Sequence, residues 1–137
     1  DVELATSQSQ ENPVYYVQYA HARIWSILRY ARKPLRWWKR FGRVALERLT
    51  EPEERLLLRQ LFQFPMVTEI CARGLEPQGL TVYLQKLAEI FHVFYTKHRV
   101  VTQDTALSRA RLTLVDATRV VLANGLQLLG VSAPRRM

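Results

Sequence analysis

Hydrophobic residues in this chain recur three or four apart wherever a segment is long enough to classify, and no stretch alternates like a β-strand for more than a few positions. Leu80, Tyr83, Leu84, Leu87, Ala88, Phe91 and Tyr95 give the strongest such signal, one face of a helix that ends near Arg99. An all-α fold follows, a helical bundle of about five to six helices. With 137 residues, 48% of them hydrophobic, the chain can bury one core of ordinary size and has no excess for a second.

Punctuation between the periodic stretches sets the expected boundaries. Asn12 caps a first helix with Pro13 at its first position, and Pro34 limits it to about Lys33. The basic segment LRWWKRFGRVALERL then forms a short element that Gly42 breaks or frays. Thr50 and Glu53 have capping-box spacing, so the next helix begins near Glu51 and carries Leu57, Leu58, Leu61 and Phe62 inward. A short helix from Pro65 to Arg73 is expected to stop at Gly74 in a left-handed turn, and Pro77 opens the following one. Asp104 caps a last long helix with Leu107, Leu114, Ala117, Val121 and Leu128 facing the core, Gly130 as its stop and an extended tail, VSAPRRM. The polar, acidic residues 1–11 read as a connector from something upstream, with the bundle in 12–137.

Charge narrows the function. The net charge is +8, and between Asn12 and Leu46 no acidic residue occurs while Arg23, Arg29, Arg32, Lys33, Arg36, Lys39, Arg40 and Arg43 all do. Such a block attracts a polyanion or an anionic membrane, or is simply a solvated face. No apolar run reaches membrane-spanning length and the N-terminal residues lack a signal-peptide pattern, so a cytoplasmic protein is expected. Cys71, the single cysteine, reads as a buried inert thiol between Ile70 and Ala72.

Catalytic motifs are missing. The five glycines form no phosphate loop, no Cys and His cluster has zinc spacing, and His21, His92 and His98 sit on separate stretches as surface or satisfied residues. Recognition chemistry is present: Tyr16, Tyr19, Ala20 and Arg23 share a face of the first helix, two phenols and a guanidinium beside a small residue that leaves room. Aromatic faces stack on unpaired bases and Arg contacts phosphate, although the same pattern fits tyrosines of a core. Trp37, Trp38 and Phe41 among Arg36, Lys39 and Arg40 fit either a membrane-surface element or tryptophans packing onto the bundle with cations turned to water.

Four stretches together are recognisable: ENPVYYVQYAHARI from Glu11 to Ile24, IFHVFYTKHRV from Ile90 to Val100, RLTLVDATRVVLANGLQLLGVSAP from Arg111 to Pro134, and the terminal Met137. In order and spacing they resemble the C-terminal anticodon-binding domain of bacterial arginyl-tRNA synthetases, class I enzymes that join arginine to tRNA using ATP. The resemblance covers about half the chain, and VQYAHAR from Val17 to Arg23 is its most specific piece. It implies a bundle gripping the anticodon stem-loop, with tRNA and the enzyme's own catalytic domain as partners, a monomeric state and no membrane. It also implies no cofactor here, ATP being bound in the full-length enzyme by upstream motifs that these 137 residues lack. Carried over by position, the anticodon contacts are Tyr16, Tyr19, Ala20, Arg23, Tyr95 and Met137, the last two enclosing a base once the tail doubles back along the bundle. Arg36, Lys39 and Arg40 are candidate phosphate contacts in a region that varies among relatives, and Arg135 departs from the acidic residue common in the family. The competing reading is a free-standing helical module that binds RNA or protein.

Overall fold

The computed structural model describes residues 2–3, 11–33 and 42–137. Among them are five α-helices, α1 Pro13–Ala31, α2 Pro52–Phe62, α3 Phe64–Gly74, α4 Gln78–Lys97 and α5 Thr105–Leu128, with a 3-10 turn at Leu46–Arg48 and no strand. The expected connector apart from Val2, Glu3 and Glu11, and the stretch 34–41 with Arg36, Trp37, Trp38, Lys39, Arg40 and Phe41, lie outside the described residues. What is described of the basic segment is the 3-10 turn rather than an α-helix.

α4 is the central rod. α1, α2, α3 and α5 all pack on it, and α1 also lies against α5. The core between them is built from fully buried Ile24, Leu57, Leu84, Leu87, Phe91, Phe94, Leu112, Leu122 and Leu126. Close approach of α4 and α5 depends on Gly125, where a Cβ would run into Leu84.

Local chemistry explains the helix ends. The Asn12 side chain accepts from the Val14 N–H at 3.1 Å with Pro13 behind it, as expected, although α1 closes at Ala31, two residues before Lys33. The expected capping box is displaced by one residue. Pro52 takes the first helical turn, so Glu51 is the cap and the Glu54 carboxylate accepts from its N–H at 3.1 Å, not the Thr50 and Glu53 pair. After α3 the left-handed residue is Leu75, φ 51°, and Gly74 is still helical. Gly130 does stop α5: at φ +72° it lets the Val131 N–H reach the Leu126 carbonyl at 2.9 Å.

Three expected burials are corrected. Phe62 is 80% exposed because the chain turns at Gln63 and Phe64 packs on Tyr83 instead, ring centroids 5.8 Å apart. On α5, Leu114 is buried, but Ala117 and Leu128 face solvent, and Val121 and Leu107 are half-buried. The buried face instead carries Ser108, Arg111, Val115, Thr118, Leu122 and Gly125. Its polar members are satisfied: Arg111 Nε donates to Glu54 Oε1 at 2.7 Å and its Nη1 to the Arg99 carbonyl at 2.7 Å, while Thr118 donates to Leu114 O at 2.9 Å. Cys71 is half-buried between exposed Ile70 and Ala72, with its sulfur over Gly79.

Candidate nucleic-acid interface

The C-terminal tail makes the site. Turned back at Gly130, it runs along α1 in the same direction as the helix, held by Gln18 Nε2 donating to Ser132 O at 2.9 Å, His21 Nδ1 bonded to Pro134 O at 2.9 Å, and Arg29 Nη1 donating to Arg135 O at 3.2 Å. Because a carbonyl only accepts, the proton of His21 sits on Nδ1. Burial, more than the nearby arginines, holds this imidazole below its ordinary range. Trp25 adds a further clamp, its ring lying 4.6 Å from the Arg135 guanidinium and 4.9 Å from that of Arg119. Arg135 thus has a structural partner on α1.

Met137, half-exposed at the end of this tail, lines a groove of about 380 Å³ with Tyr19, Arg23 and Arg29. Across Arg23 lies a second groove of about 580 Å³, lined by Tyr95, Tyr30 and Arg99 among others. The Arg23 guanidinium donates to the Tyr19 hydroxyl at 2.8 Å and stands 5.5 Å from the Tyr19 ring and 5.6 Å from the Tyr95 ring. Five of the six expected contact residues therefore gather at one surface, but Tyr95 and Met137 line neighbouring grooves with Arg23 between them. The tail doubles back along the bundle on α1. Tyr95, which periodicity alone would bury, is 37% exposed.

Ala20 is the exception. At 0% exposure it belongs to the core, so it offers no surface to a ligand; its size lets α1 sit close to the bundle. Tyr16 is half-buried, packed on the His92 ring at 5.2 Å, and burial raises its hydroxyl's pKa, with Glu89 adding to the effect. His92 underlies both phenols, stacked with Tyr19 at 6.1 Å, and burial followed by the Arg23 charge lowers its pKa, which favours a neutral ring beneath the surface. His92, Gln18, His21 and Trp25 escaped the sequence reading as parts of the site. Three of them hold backbone carbonyls or a cation more than 90 residues away, and no spacing rule announces such partners.

One group among the described residues, Glu51, Glu53 and His98, has the spacing of cation ligands. Glu53 is already committed: Lys97 Nζ lies 2.9 Å and His98 Nε2 3.0 Å from its oxygens, and these bonds hold its pKa down at about 2. The cluster is an ion-pair network tying α2 to the end of α4. The surface as a whole offers aromatic rings, a thioether and guanidinium groups, the equipment for holding bases and phosphates.

Comparison with known proteins agrees with that equipment. A family model described as the DALR anticodon binding domain matches residues 17–137. The arginine–tRNA ligase of Desulfotalea psychrophila is 48% identical over all of this chain, which covers 25% of it, and that of Symbiobacterium thermophilum is 50% identical with the same coverage. The chain thus spans about a quarter of the length of the curated relatives it matches. Among solved structures, Thermus thermophilus arginyl-tRNA synthetase superposes with a TM-score of 0.77 at 36% identity over 89% of this chain and 21% of that one. A Campylobacter jejuni structure described as an arginyl-tRNA synthetase gives 0.82 at 25% identity over 100% of this chain and 29% of that one. Since the family match takes in most of α1, the Tyr95 helix and the tail bonded to α1, this chain belongs to the DALR anticodon-binding domain family.

Proposed function

We propose that this chain grips the anticodon stem-loop of arginine tRNA as the recognition part of an arginine–tRNA ligase. In this reading, ATP-driven joining of arginine to tRNA takes place in a catalytic domain of the same, monomeric and cytoplasmic, protein. The observation that carries the reading is the convergence of Tyr19, Arg23, Tyr95 and Met137, drawn from three distant parts of the sequence onto one surface by a tail bonded to α1. Tyr16 supports the site from beside His92, and Ala20 contributes through packing. Rings and thioether meet base faces; Arg23 supplies a charged donor able to pair with an acceptor edge or a phosphate. Arg36, Lys39 and Arg40 are the candidate phosphate contacts.

Binding of the 137-residue chain to an arginine anticodon stem-loop tests this. Affinity is expected to fall steeply with salt, the logarithmic slope changing by about 0.7 for each single-strand phosphate contact. Replacing Arg36, Lys39 and Arg40 together with Ala should flatten that slope. No ATP–pyrophosphate exchange is expected with arginine and tRNA present. Exchange above background, or equal affinity for the arginine stem-loop and an unrelated one, would contradict the reading.

A further inference from the structure

We propose that Tyr30 and Arg99, with the exposed edge of Tyr95, form a second nucleotide subsite, which takes an unstacked base of the RNA loop next to the nucleotide held at Met137. The proposal rests on the anticodon-loop reading above and adds a site to it. Its geometry is that of the larger groove, about 580 Å³, between the C-terminal halves of α1 and α4. That volume falls in the range of about 300–1,000 Å³ common to small-ligand pockets.

Tyr30 is 68% exposed on a helix whose inward positions are filled by Ile27, Leu28 and Ala31, so it is no part of the core. An exposed ring of this kind is a stacking platform. Tyr95 is less free to serve as one: Phe91 stacks at 6.0 Å, and the Arg23 guanidinium is 5.6 Å from its centroid. A base entering the groove therefore lies on Tyr30 and meets Tyr95 at its edge. Arg23 and Arg99 line the groove and, among the described residues, no Asp or Glu does, which suits the phosphate on either side of that base. The hydroxyls of Ser26 and Thr96 are already tied to the Ala22 and His92 carbonyls at 3.4 and 2.8 Å, leaving the cations as its principal polar contacts.

The groove is also preformed. The Arg99 carbonyl receives Arg111 Nη1 at 2.7 Å, and Arg111 is fixed by the buried Glu54. His98, one residue before, is held by Glu53 at 3.0 Å. Two carboxylates of α2 thus set the wall on which Arg99 stands, which lowers the ordering cost of binding. Arg23, shared by both grooves, separates the two nucleotides.

The experiment is an abasic scan of the arginine anticodon stem-loop, each loop base removed in turn, against the unmodified chain, Tyr30→Ala, Tyr30→Phe, Arg99→Ala and a chain lacking Met137. The unmodified chain should be sensitive at two or more loop positions. Tyr30→Ala should weaken binding of the intact loop by about ten-fold, the scale of one lost base stack. It should erase sensitivity at one position only, while loss of Met137 erases it at another. Tyr30→Phe should behave like the parent, and Arg99→Ala should weaken binding without moving the sensitive positions. Unchanged thermal midpoints exclude unfolding, as the exposure of Tyr30 leads one to expect. If Tyr30→Ala leaves the scan unaltered, or erases the same position as loss of Met137, the second subsite is wrong. Competition by a polyglutamate peptide as effective as that by a loop oligonucleotide would also overturn it. No binding of any stem-loop by the unmodified chain would instead overturn the anticodon reading itself, and the subsite with it.

Discussion

His92 and His21 are the residues whose protonation the fold resists. Both are held below the ordinary histidine value of 6.5, chiefly by burial, with arginine charges adding to it. The unfolded chain therefore takes up protons near pH 6.5 while the folded chain does so only at lower pH, and acidification favours unfolding. Stability should be at its full value above pH 6.5 and decline as pH falls from there toward the lowered folded values. A second decline should follow below 4.5, where Glu53, held at about 2 by Lys97 and His98, leaves the range of an unfolded carboxylate. Thermal midpoints measured from about pH 8 to about pH 3 at constant ionic strength check both declines. His92→Gln should remove part of the first decline, whereas an unchanged profile would show that His92 is not held neutral.

Among the elements, the joint of α2, α4 and α5 encloses a buried ion pair, Glu54 with Arg111, at 0% and 9% side-chain exposure. Removing one partner leaves a buried charge, so Glu54→Ala should cost about 3–5 kcal/mol in urea denaturation. Glu54→Leu combined with Arg111→Met should recover most of that loss, because the desolvation cost of both charges disappears together. The same pair explains why α5 was hard to read. Its buried stripe includes Ser108, Arg111, Thr118 and Gly125, while Leu128 points outward, so counting apolar residues found Leu114 but misplaced Ala117 and Leu128. α1 and α4 were legible because their caps or apolar faces agree with their burial. Tyr19 and Arg23 could be seen to share a face; the route of the tail could not, since Gln18, His21 and Arg29 seize backbone carbonyls that any sequence would supply.

On the scale of the whole molecule, a balanced bundle carries a basic first third, and the chain's far end returns to it. α1 begins at Pro13 and Met137 comes to rest beside it, so the proposed base contacts and the tail anchoring occupy one surface. In the proposed function this surface discriminates among anticodon loops through Tyr95, Arg23 and Met137. It is tested most directly by affinity for an arginine anticodon stem-loop and for one with the middle base changed, using the parent chain, Tyr95→Phe, Tyr95→Ala and a chain lacking Met137. Tyr95→Phe should keep the preference and Tyr95→Ala should lose on the order of 1–3 kcal/mol of affinity for the correct loop. Both Tyr95→Ala and loss of Met137 should shrink the gap between the two loops. Folded variants whose affinity falls equally for both loops would contradict it.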